Sequence, residues 1–72
     1  MSAQVEWFYV LTLEWPGYNM STRSGTLTPN EGTTRAQVFT EIFRSVADQM
    51  VRPPGATGDP NVLLWSFEPN QL

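Results

Sequence analysis

The side chains that usually perform chemistry at neutral pH are nearly absent from this sequence. It has no histidine, cysteine or lysine, so the usual general base and the thiol and amine nucleophiles are missing, as are the imidazole and thiolate metal ligands. What remains is seven carboxylates and four arginines, Arg23, Arg35, Arg44 and Arg52, for a net charge of −3. Two carboxylates working on one bond must lie within about 10 Å of each other. Glu6 and Glu14 share one strand phase, but eight residues of extended chain separate them, about 27 Å. No Asp-x-Asp-x-Asp-Gly loop is present for calcium. Gly55, Gly58 and Asp59 lie in a Pro-Gly loop that lacks the lysine-bearing spacing of a phosphate cradle. No catalytic, cofactor-binding or metal-ligating residue is assigned, and the chain is expected not to be an enzyme.

The aromatic residues are the other group with a chemical use. Trp7-Phe8-Tyr9 suggests a stacking platform for single-stranded nucleic acid. Strand alternation divides the three between opposite faces, however, and the arginines are scattered where a phosphate-tracking groove needs them clustered. Nucleic acid is therefore not the expected partner. Tryptophan is also a favoured anchor where proteins bury hot spots. Trp15, beside Pro16 in a turn, and Trp65 are candidate anchors, with core packing as the competing role for each.

These residues are positioned by four elements. Residues 5–14, VEWFYVLTLE, alternate as a strand: Val5, Trp7, Tyr9, Leu11 and Leu13 form one row, and Phe8 and Val10 lie opposite between Glu6 and Glu14. Pro16-Gly17 predicts a type II turn. Residues 18–28 follow as a polar edge strand in which Gly25 is a candidate bulge. Thr34 and Gln37 have capping-box spacing, and a helix is predicted over 35–50. Its expected apolar arc is Ile42, Val46, Phe39, Met50, Phe43, Ala36 and Ala47, with Val38 at the shoulder. Pro53-Pro54 ends the helix, residues 52–61 form a loop, and 62–68, VLLWSFE, make the last strand, stopped by Pro69.

The expected architecture is a single α+β domain spanning 1–72: a three-stranded antiparallel sheet of order 2-1-3 with one helix packed on one face, ββαβ. One helix covers one face, yet apolar side chains occur on both. Strand alternation groups Phe8, Val10, Val62 and Leu64 on the reverse side, although the opposite phase remains open as the exposed one. Three such side chains, fully buried, would contribute roughly 4–9 kcal/mol, comparable with the whole stability of a small domain. A second copy, another protein or the short tail after Pro69 could supply the cover. A symmetric dimer, sheet against sheet or edge to edge, is the simplest answer, because one patch then covers itself.

The segments WFYVLTLEWPG, SGTLTP, TTRAQVF and WSFEPN, together with the use of arginine for every basic residue, resemble small actinobacterial proteins with no assigned activity. In size, acidity, tryptophan content and number of elements the chain is also similar to the MbtH-like partners of adenylating enzymes. It departs from them in placing the helix before the last strand and in lacking their tryptophan motifs. That likeness implies only a small accessory partner.

The expected function is a non-enzymatic protein–protein interaction module, a homodimer or a partner of another protein. Its candidate interaction residues are Phe8, Val10, Trp15, Val62, Leu64 and Trp65. A nucleic-acid-associated regulator and a small-ligand binder with an aromatic pocket between helix and sheet are the alternatives. No membrane span or leader is read at Met1–Gln4 or elsewhere, so a cytoplasmic location is expected, with no cofactor.

Overall fold

The computed structural model describes residues 5–70. Met1–Gln4, read above for a leader, and the end of the tail at Gln71 and Leu72 lie outside the described residues. The elements are β1 (Trp7–Trp15), β2 (Asn19–Leu27), α1 (Arg35–Gln49) and β3 (Asn61–Pro69). Both neighbour pairs are antiparallel and the order is β2-β1-β3, the α+β arrangement expected from the sequence.

β1 is central because both of its faces carry apolar side chains. Its odd residues face the helix, and Leu11 and Leu13 are fully buried there. The Pro16-Gly17 turn forms as predicted: Gly17 adopts φ 72° and the Tyr18 N–H donates to the Trp15 carbonyl at 2.9 Å. β2 then pairs with β1 in unbroken register, Tyr9 opposite Gly25, so Gly25 is not a bulge. It is a seat: a Cβ there would lie 3.1 Å from the Tyr9 hydroxyl and 3.3 Å from the ring. The ring crosses the one position of β2 that has no side chain to displace it.

The helix opens at the Thr34–Gln37 capping box. The Gln37 N–H donates to Thr34 Oγ1 at 3.1 Å, and the Thr34 N–H donates to Gln37 Oε1 at 2.8 Å. Its buried line is Val38, Ile42 and Val46, so Val38 is at the centre, not the shoulder, and Ala36 is exposed. The physical reason is size. Short branched side chains bring the helix close to the sheet, while the longer Phe39 and Phe43 reach inward from the β3 flank. On the β2 flank the Arg23 guanidinium donates to Ser45 Oγ at 3.0 Å and to Gln49 Oε1.

β3 departs from simple alternation. Leu64 opposes Thr12, but Val62 opposes Leu13, so one extra residue, Leu63, is accommodated in a bulge. Beyond it the phase reverses. The strand also runs on through Pro69, which pairs with Trp7, and the Asn70 N–H donates to the Glu6 carbonyl at 2.8 Å. Proline is tolerated there because β3 pairs on one side only, and at this position its nitrogen faces the open edge.

Candidate interaction surface

On the helix side an aromatic ladder fills the layer between α1 and β3. Trp7 stacks on Phe67 at 4.7 Å, Phe67 on Trp65 at 5.6 Å, and Phe39 meets Trp65 edge-on at 5.0 Å. Trp65 is therefore half-buried among rings of its own chain. The Arg35 guanidinium lies 5.2 Å over the Trp7 ring, a cation–π contact that closes this end. At the other end Trp15 is 7% exposed and Arg52 lies 5.3 Å over its ring. Trp15 is a lid on the core and not a projecting anchor, because the chain after the helix folds back against it; Met50, Arg52 and Pro60 line the same hollow as Trp15.

The opposite face of the sheet has no element on it among the described residues. Strand alternation places Phe8, Val10, Thr12 and Glu14 there from β1, with Met20, Thr22, Ser24 and Thr26 from β2. β3 adds Leu64, Ser66 and Glu68. Phe8 is 40% exposed, Leu64 50% and Met20 62%, while Val10 is half-buried between its neighbours. The Thr12 and Thr22 hydroxyls are hydrogen-bonded across the strands at 2.9 Å, so the middle of the face is a mixture of methyl groups and a cross-strand hydroxyl pair. Phe8, Val10 and Leu64 therefore share this face as expected. Val62 does not: the bulge turns it to the helix side, where it lines a groove with Phe39 and Phe43.

The reversal at Leu63 leaves apolar side chains on both sides of one sheet edge. Val62 is 43% exposed and Leu63 52%, and Leu64 follows on the other side. No charged residue lies between Asn61 and Phe67. The ladder that carries the Asn70 N–H to Glu6 turns the backbone groups of Phe67 and Trp65 toward this outer edge, where no strand receives them among the described residues.

Charge divides between the two faces. Glu6, Glu14 and Glu68 are on the open face, and Asn70 Nδ2 donates to Glu6 Oε1 at 2.8 Å. All four arginines belong to the helix side or the loops: Arg23 reaches the helix, Arg35 and Arg52 cover tryptophans, and Arg44 is on α1. The remaining carboxylates, Glu31, Glu41, Asp48 and Asp59, match those arginines in number. The whole net charge of −3 therefore resides on the open face.

Three features of this surface are not legible in the sequence. The side taken by Met20 depends on the hairpin register, since a shift of one residue exchanges the two sides of β2. Nothing in VLLW marks Leu63 as the residue that bulges. Glu68 joins Glu6 and Glu14 only through its pairing with Phe8. Among the described residues no group of three or more His, Cys, Asp or Glu side chains converges as a metal site, and no helix is long and apolar enough to cross a membrane. Comparison with protein-family models, curated proteins and solved structures found no match to this chain.

Proposed function

We propose that this chain is a non-enzymatic protein–protein interaction module that forms a homodimer by pairing β3 with β3 of a second copy. The observation that carries the reading is the β3 edge: a nine-residue strand with outward-facing backbone groups, exposed Val62, Leu63 and Leu64, and no charge from Asn61 to Phe67. Proteins that stay single blunt such an edge with lysine, proline, a bulge, inward charge or a covering segment. Here the guards are the bulge at Leu63 and, at the far end, Glu68 and Pro69, which leave the run between Asn61 and Phe67 without a charge.

Antiparallel pairing about a two-fold axis would join two sheets into one of six strands, with both helices on one side and both open faces on the other.

The alternatives find less support. A phosphate backbone would meet three carboxylates and no arginine on the open face. A small ligand between helix and sheet would have to displace the stacked Trp7, Phe67, Trp65 and Phe39. The cytoplasmic location expected from the sequence is retained as part of the proposal.

Sedimentation equilibrium at micromolar concentration tests the dimer. The wild-type chain should sediment as twice its monomer mass, and Leu63→Lys as a monomer with an unchanged far-UV CD spectrum. A folded wild-type chain that stays monomeric overturns the proposal.

A further inference from the structure

We infer that the open sheet face binds a cationic, partly apolar segment of another protein, an extended stretch in which lysines or arginines alternate with or flank aliphatic side chains. This rests on the interaction-module reading but uses a different surface from the β3 edge. The argument is charge. Phe8, Val10 and Leu64 supply the apolar surface between the carboxylates, with Met20 beside Glu14 on β2, and the Thr12 and Thr22 hydroxyls are bonded to each other. Glu6 and Glu68 stand at one end of the β1–β3 strip and Glu14 at the other, opposite Asn61, about 27 Å away along β1.

A second copy cannot be the occupant. Packing open face on open face would bring three carboxylates against three with no cation on either side, and like charges in a desolvated interface are strongly unfavourable. Packing it on the helix side of a copy would meet a surface whose charges already balance, and offers the three carboxylates no excess of cations. The complementary partner is cationic at both ends of a strip the length of an eight- or nine-residue extended segment. In the edge-paired dimer the two strips lie side by side, and each monomer carries a complete one.

A fluorescein-labelled nonapeptide of alternating lysine and valine, with a glutamate–valine peptide as its control, tests this by fluorescence anisotropy, and amide shift mapping locates the bound peptide. The cationic peptide should bind and shift amides of β1 and β3, the acidic one should not bind, and raising salt from 50 to 300 mM should weaken the complex several-fold. In the Glu6→Gln/Glu14→Gln/Glu68→Gln variant affinity should fall about tenfold, the combined effect of three exposed charge pairs, while sedimentation stays that of the wild type. Equal binding of both peptides, unchanged affinity in the triple variant, or shifts confined to α1 each overturn the inference. Because Leu63→Lys keeps the strip, peptide binding by that variant separates this site from the dimer: loss of dimerisation with retained binding leaves it standing, and loss of binding with an intact dimer removes it alone.

Discussion

Tyr9 and Gly25 show how one residue's shape is set by its cross-strand partner. Glycine within a strand sacrifices conformational entropy, so Gly25→Ala should recover about 0.4–1 kcal/mol from the unfolded chain. Against that, the added methyl group meets the Tyr9 ring at 3.3 Å and its hydroxyl at 3.1 Å, and overpacking of this kind costs about 1–3 kcal/mol. The crowding wins. Gly25→Ala is expected to destabilise by about 1 kcal/mol in urea unfolding, and in a Tyr9→Val background the same substitution should become neutral or stabilising, a coupling that a double-mutant cycle measures. Additive effects would show that the ring does not depend on the glycine. At the centre of the core, Leu11→Ala should cost about 2–5 kcal/mol, since Leu11 is fully buried. The glycine was legible as unusual from composition alone, but a bulge and a ring seat look the same until the register places Tyr9 opposite it.

Local chemistry dictates the elements well and their phases less well. The capping box could be read because its two hydrogen bonds join residues three apart in sequence, and Pro16-Gly17 because its φ angles belong to the turn itself. Thr34→Ala should therefore lower stability by about 1 kcal/mol, and Gln37→Ala by less, with non-additive loss in the double variant. The rotation of α1 was less legible: any of several arcs on its wheel is apolar, and only the sheet beneath selects Val38, Ile42 and Val46. The bulge was not legible at all, since it is a property of the pairing between β3 and β1. It nevertheless yields a sharp expectation. Because Leu63 is the surplus residue, deleting it leaves Val62 opposite Leu13 and Asn61 opposite Glu14, the pairs already present. Deletion of Leu63 should preserve cooperative unfolding and the far-UV CD spectrum. Deletion of Ser66, from the regular stretch, should not, since it turns either the Trp65 side or the Phe67 side of the strand to the wrong face. Equal tolerance of both deletions would contradict the register.

For the whole molecule the question is whether the folded monomer is a sufficient unit. Among the described residues only one of its two sheet faces is covered by another element. Part of the stabilisation that a closed two-sided core would provide is therefore available only from a second chain. If β3 edges pair, folding and association are linked, and the melting temperature must rise with protein concentration by mass action, as it does for any state stabilised by a binding partner. The expected signature is a Tm that increases by several degrees between one and one hundred micromolar for the wild-type chain, because a stabilisation of 1 kcal/mol moves the midpoint of a domain this small by about 4–8 °C. Leu63→Lys should melt at one temperature throughout that range, near the low-concentration limit of the wild type. The open face makes the opposite contribution: its three carboxylates gain nothing from the edge contact, so Glu6→Gln/Glu14→Gln/Glu68→Gln should leave the slope of Tm against concentration unchanged. A flat wild-type profile would mean that the thin, one-sided fold is stable alone, and that β3 is left open for a partner other than itself.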